Sequence, residues 1–231
     1  MGTFDNNAIY YKYRSLKYDG FERFIDIVLN DRLYGSVYNE MNDPMEGRFC
    51  RKDLDRKTLE SIYEELRCTR VCSFKQKLPE QMCPNTKDDY MMWSHYADGH
   101  NGCCIEFTLS PRNNRSWDLM PVEYGEELPK IENDEEARSA VDKILSVKSS
   151  SWSYENEVRT IRHYDKDKFS KSNKYFKIDI KAIYLGKKMK KERCDILKQI
   201  IHSKDKNIKV FKMVDADRYS SNYPILDIEE I

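Results

Sequence analysis

Glutamate, glutamate and arginine recur at every second position in Tyr154-Glu155-Asn156-Glu157-Val158-Arg159-Thr160-Ile161. That spacing reads as a β-strand, on which residues two apart share a face. Glu155, Glu157 and Arg159 therefore project the same way. Like charges on one strand face destabilise it unless something compensates them. A fold that accepts this segment has to bring cations to the glutamates or put the carboxylates to use. The plainer outcome is one glutamate paired with Arg159 or a lysine. The other is general acid–base or cation-stabilising chemistry.

The rest of the chain supplies short strands separated by helices. Ile9 to Arg14 alternates as a strand, and Phe21, Phe24, Ile25, Val28 and Leu29 recur at helical spacing. Leu33 to Ser36 reads as a short strand, followed by the turn-rich stretch Asn39 to Gly47. Leu59, Ile62, Tyr63 and Leu66 mark a second helix, and Val71 to Phe74 a strand. Lys75 to Lys87 carries Pro79 and Pro84 and reads as a loop. Asp88 is placed to cap a helix running to about Ala97. Cys103 to Leu109 resumes as a strand, Pro111 to Trp117 is a polar turn, and Met120 to Tyr124 is strand-like. Asn133 opens a helix through Val141, Ile144 and Leu145. Strands are expected at Tyr175 to Ile178, Ala182 to Leu185 and Ile208 to Met213, with a basic helix from Lys190 to His202. The pattern is α+β, with many of the strands antiparallel.

Length and charge narrow the classes. The 231 residues suffice for one domain with a full core, residues 1–231. Forty basic residues balance forty acidic ones, which argues against a protein that coats polyanions or grips an extended phosphate backbone. No 18-residue apolar run occurs, and no apolar leader follows a basic start. A cytoplasmic protein without a membrane partner is the expectation. The seven cysteines include no C-x-x-C pair, so buried, reduced thiols are expected rather than a disulfide framework or zinc site. His95, His100 and Cys83 match no familiar metal spacing, and no metal is assigned.

Four motifs carry chemistry. Lys12-Tyr13-Arg14 combines a guanidinium, which binds phosphate bidentately, with tyrosine rings that stack on planar groups. Asn42-Asp43-Pro44-Met45-Glu46 is a turn, and its Asn42 either hydrogen-bonds a ligand or braces the loop. Trp93-Ser94-His95-Tyr96-Ala97 places Trp93 and Tyr96 on one helix face, the spacing of core packing. The glutamate segment, opened by Trp152, is the fourth.

Taken together, these motifs resemble a widespread bacterial and phage domain family of unknown function, over residues 8–186. That family in turn is similar to the ADP-ribosyltransferase superfamily. The resemblance implies split antiparallel sheets with flanking helices and NAD as the substrate. It implies Glu157 as the catalytic carboxylate with Glu155 beside it, as in arginine-modifying transferases. Arg14, with Tyr13 and Lys12, would hold the NAD phosphates or nicotinamide ribose, Ser36 would take the second-strand position, and Asn42 and Tyr96 complete the binding set. No aromatic nicotinamide clamp can be assigned. The implied activity is mono-ADP-ribosyl transfer to a protein or nucleic-acid acceptor, as a toxin or anti-phage defence effector. It leaves room for an antitoxin or a defence-system partner protein. Three alternatives stay open: an NAD glycohydrolase, a non-enzymatic module that binds a nucleotide or phage component, and a nucleic-acid-binding or nuclease domain, against which the zero net charge speaks.

Overall fold

The computed structural model describes residues 8–110, 119–171, 173–220 and 223–231. In chain order its elements are β1 (Ile9–Arg14), α1 (Asp19–Asn30), β2 (Arg32–Tyr34), α2 (Arg56–Arg67), β3 (Thr69–Gln76) and α3 (Lys87–Tyr96). There follow β4 (Cys103–Leu109), β5 (Leu119–Pro121), β6 (Glu123–Gly125), α4 (Ala137–Leu145), β7 (Val147–Ser149) and β8 (Glu157–His163). The chain ends with α5 (Lys166–Phe169), β9 (Tyr175–Leu185), α6 (Lys191–Lys204), β10 (Lys209–Ser220) and β11 (Tyr223–Glu230). The fold is mixed α+β, with mostly antiparallel pairing and flanking helices. The chain forms two compact units, the first of Met1–Leu33, Phe74–Arg112 and Lys177–Ile231, the second of Tyr34–Ser73 and Asn113–Phe176. No helix among the described residues is long and apolar enough to cross a membrane.

In the first unit the strand order is β11-β10-β9-β4-β1, with the end of β3 beside β1. Tyr10, Phe74 and Phe107 meet edge-on or tilted at centroid distances of 4.8 to 5.9 Å, filling the sheet's apolar face. Phe24, Ile27 and Val28 are the buried stripe of α1, and Cys194, Leu197 and Ile201 that of α6. Helix α3 starts two residues earlier than a cap at Asp88 suggests. Thr86 is the N-cap, and Asp89 returns the bond to the Thr86 amide at 2.8 Å, closing a capping box. Asp89 is also fully buried and takes Tyr13 Oη at 2.7 Å, Gln81 Nε2 at 2.6 Å and Lys75 Nζ at 2.9 Å.

The second unit has its own core, in which α2 and α4 pack Ile62, Leu66, Ala140, Val141, Ile144 and Leu145 together. Asp55 caps α2 by accepting from the Thr58 amide at 2.7 Å. Asn133 does not open α4, which begins at Ala137. It joins the two helix entries instead, accepting from the Asp55 amide at 2.8 Å and donating to the Asp53 carbonyl at 2.9 Å.

His163 staples this unit. Its Nδ1 lies 2.7 Å from Glu65 of α2 and its Nε2 2.9 Å from Asp142 of α4, so both ring nitrogens face carboxylates, an arrangement that favours the doubly protonated ring. Burial alone would lower its pKa, but the bonds to Asp142 and Glu65 outweigh burial and raise it. A raised folded-state pKa gives stability that is complete below the unfolded value of about 6.5 and lost as pH climbs through the folded value. We expect His163→Gln to cost most at pH 6, and the gap to wild type to narrow at pH 9 in thermal melts. An equal gap at both pH values would show that the imidazolium contributes nothing.

The remaining differences from the sequence reading are local. Tyr175 to Leu185 is one strand rather than two, β10 runs on to Ser220, and β11 was not anticipated. The basic helix starts and ends slightly later than read, and the short second strand stops at Tyr34. The expected turn at Pro111 to Trp117 lies outside the described residues. None of the seven cysteines, all among the described residues, forms a disulfide, and only Cys50 is not buried.

Candidate functional site

The glutamate segment is not one strand. Ser150–Glu155 is a 3₁₀ turn, started by Ser149, whose Oγ accepts from the Ser151 amide at 3.4 Å. Asn156 ends it in the left-handed region at φ 43°, a conformation that asparagine tolerates better than most residues. β8 begins only at Glu157. Glu155 therefore reaches the site from a turn and Glu157 from a strand.

The two carboxylates nonetheless converge. Lys148, in β7, donates to Glu155 Oε2 at 2.6 Å and to Glu157 Oε2 at 3.1 Å. Its ammonium lies 4.9 Å from the Trp152 ring centroid, a cation–π contact. β7 is set by parallel pairing with β6, where Tyr124 faces Lys148. Tyr124 Oη in turn accepts from the Glu157 amide at 2.8 Å. The Tyr154 ring lies 6.2 Å from Trp152, and burial pushes its phenol up to about 12.

Arg159 completes the cluster from the same face of β8. Nε and Nη2 donate to the two oxygens of Glu157 at 2.7 and 3.2 Å. Nη1 and Nη2 donate to Glu46 at 2.6 and 2.9 Å, and Nη1 also to the Leu145 carbonyl at 2.7 Å. A guanidinium has five N–H donors, and these five bonds use them all. Arg159 has no exposed surface. Glu46 comes from the Asn-Asp-Pro loop, where Asp43 accepts from the Met45 amide at 2.9 Å and turns the chain.

The electrostatics follow. Burial would raise the Glu157 carboxyl, but Arg159 and Lys148 outweigh it and hold it well below the usual carboxylate range. Burial likewise opposes the Lys148 ammonium, and Glu157 and Glu155 outweigh it, so the lysine stays charged. It is a cationic brace and no nucleophile near neutral pH. The cluster presents an ionised carboxylate in a site shielded from water, suited to stabilising a positive charge as it develops.

The other sequence-predicted residues fall as follows. Ser36 and Asn42 belong to the second unit with Glu155 and Glu157. Ser36 exchanges backbone hydrogen bonds with Val71 at 2.8 and 2.9 Å, and Asn42 is exposed. Lys12, Tyr13, Arg14 and Tyr96 belong to the first unit. Tyr13 is buried, its hydroxyl bonded to Asp89 and its ring edge-on to Trp93 at 5.4 Å. Arg14 ends β1 opposite Cys103, and Tyr96 is half-buried at the end of α3. Lys148 was missed by sequence reasoning, since a lone lysine before three serines carries no recognisable signal. Among the described residues, no three His, Cys, Asp or Glu side chains gather to hold a metal ion.

Residues 92–160 match the model of a family described as a protein of unknown function, DUF2971. The matched segment includes Trp93 to Ala97 and Trp152 to Arg159, and leaves out Arg14 and Glu46. No curated protein and no solved structure matches the chain.

Proposed function

We propose that this chain cleaves NAD and transfers ADP-ribose to a protein or nucleic-acid acceptor, as a toxin or phage-defence effector. The observation that carries the reading is the convergence of Glu155 and Glu157 on Lys148, with Glu157 held ionised. In the reaction the bond between nicotinamide and ribose breaks, and its electron pair leaves with nicotinamide. The ribose gains oxocarbenium character, which the Glu157 carboxylate stabilises. The acceptor then attacks the ribose carbon and loses its proton, for which Glu155 is the base. The motif resemblance supports NAD as the donor.

A second reading draws on the enclosure of Arg159. With all five donors used and both Glu157 oxygens taken, the cluster also suits a structural strut in a nucleotide-binding module that turns nothing over.

NAD labelled on its adenylate half, incubated with the protein and cell lysate, separates these. The transferase reading expects nicotinamide release together with label on macromolecules. Release without macromolecular label identifies a glycohydrolase. Bound NAD with no release in any lysate sinks both enzymatic readings and leaves the binding module.

A further inference from the structure

A basic edge of the first unit is used by neither reading. In register, Arg14 of β1 faces Cys103 of β4, Cys103 faces Leu185 of β9, and Leu185 faces Lys212 of β10. The segments leaving this row of strand ends are tied together. The Gly186 amide donates to the Gly102 carbonyl at 2.9 Å and the Lys188 amide to that of His100 at 3.0 Å. Arg193 Nη2 reaches the Leu16 carbonyl at 2.6 Å, and Lys212 Nζ the Met189 carbonyl at 3.0 Å. Gly102 and Gly186 are required here, because a side chain would run into the backbone carbonyls of Arg14 and His100.

Charge concentrates on this edge in a chain whose net charge is zero. Lys187, Lys188, Lys190, Lys191, Arg193 and Lys198 face only Glu192 and Asp195 within the same stretch. Of the neighbouring acids, Asp98 pairs with Lys17 at 2.5 Å and Asp19 with Arg23 at 2.6 Å, while Asp215 pairs with Lys187 of the edge itself at 2.6 Å. Lys188, Lys190 and Lys191 are exposed and form no ion pair among the described residues. They sit at the start of α6, where the helix dipole disfavours cations, so helix stability does not account for them.

Two further features belong to this edge. Tyr18, two residues past the Leu16 carbonyl that Arg193 holds, is 93% exposed, and its backbone sits at φ 49°, ψ −132°, a conformation that non-glycine residues rarely adopt. His100 is 7% exposed, at φ 71°, with Nδ1 buried and without a hydrogen-bond partner. Burial, with Lys187 and Lys188 adding to it, pushes its imidazole down to about 4, so it stays neutral at physiological pH.

We infer that this edge binds single-stranded nucleic acid, with phosphates on Lys188, Lys190 and Lys191 and an unpaired base stacked on Tyr18. Cations that track a backbone beside an exposed aromatic ring are the elements of single-strand recognition. A duplex offers the same phosphates but no free base for Tyr18. The inference does not depend on NAD turnover.

The test is fluorescence anisotropy on the full chain without NAD, with labelled oligothymidylate, oligouridylate and a duplex. Binding of either single strand is expected, tighter than the duplex. Replacing Lys188, Lys190 and Lys191 by glutamine should weaken it at least about tenfold and lower the log–log salt slope by about 2, near 0.7 per lost phosphate contact. Tyr18→Ala should weaken single-strand binding about fivefold or more, the low end for a stacked base, and leave the duplex unchanged. All four side chains are exposed, so melts of these variants should match wild type. No binding at low salt, or binding indifferent to the lysine substitutions, overturns the inference. So does lysine-dependent capture of anionic vesicles with none of the oligonucleotides.

Discussion

Arg159→Met is expected to destabilise the protein by about 3–5 kcal/mol, the cost of leaving a buried ion pair's partner alone. The reason is local and complete. Glu46 and Glu157 would face each other across the vacated guanidinium site, and the Leu145 carbonyl would lose its donor. For a chain of this length the loss corresponds to a fall in Tm of about 6–20 °C. Removing the whole set in Glu46→Gln/Glu157→Gln/Arg159→Met should recover much of that loss, because the penalty lies in the unpaired charges. The effect also has a pH signature. A carboxyl held below its ordinary range contributes stability that is present above about 4.5 and lost as pH falls through the depressed folded-state value. The gap between wild type and Arg159→Met should therefore narrow in acid. A Tm within about 2 °C of wild type would mean that the cluster relaxes around water and holds nothing together.

The sequence shows part of this cluster and hides the rest, for identifiable reasons. Alternation from Glu157 to Ile161 is real, and so is the shared face of Glu157 and Arg159, because both lie within β8. Alternation failed at Glu155, since one left-handed residue, Asn156, resets the pleat and leaves no trace in the period. Asparagine itself was the available hint. The same limit applies to β9. It was divided around Asp179 to Lys181 because polarity interrupts the apolar pattern there. The structure shows a register shift against β4, with Glu106 facing Ala182 and Phe107 facing Ile180, so Lys181 is passed over. Thr86 and Asp88 are equally good cap residues by type, and only Asp89 three positions after Thr86 distinguishes them. The partners of Glu157 were the least legible. Lys148 has no patterned relation to it, and Glu46 meets Arg159 across 113 residues of sequence. Local periodicity carries no information about such pairings.

Glu157→Gln and Glu155→Gln should separate chemistry from support within the cluster. Both keep side-chain volume, so neither opens a cavity. Glu157→Gln removes a charge bonded to both Lys148 and Arg159. It is expected to lower Tm and to reduce kcat for nicotinamide release by about 10²–10³, the usual cost of losing one electrostatic stabiliser of a transition state. Comparing the variants at a temperature well below both melting transitions removes the folding contribution. Under those conditions KM for NAD should change little, because the oxocarbenium charge exists only near the transition state. Glu155→Gln should spare NAD cleavage more than transfer, since activating the acceptor is the part proposed for it. In wild type, nicotinamide release should show no inflection from Glu157 between pH 5 and 8, because Arg159 and Lys148 keep it ionised throughout. A folded Glu157→Gln protein that releases nicotinamide at the wild-type rate would remove this carboxylate from the chemistry and leave it as a strut for Arg159. Lys148→Met tests the convergence itself: with the shared ammonium gone, the two glutamates repel, and both cleavage and transfer should fall together.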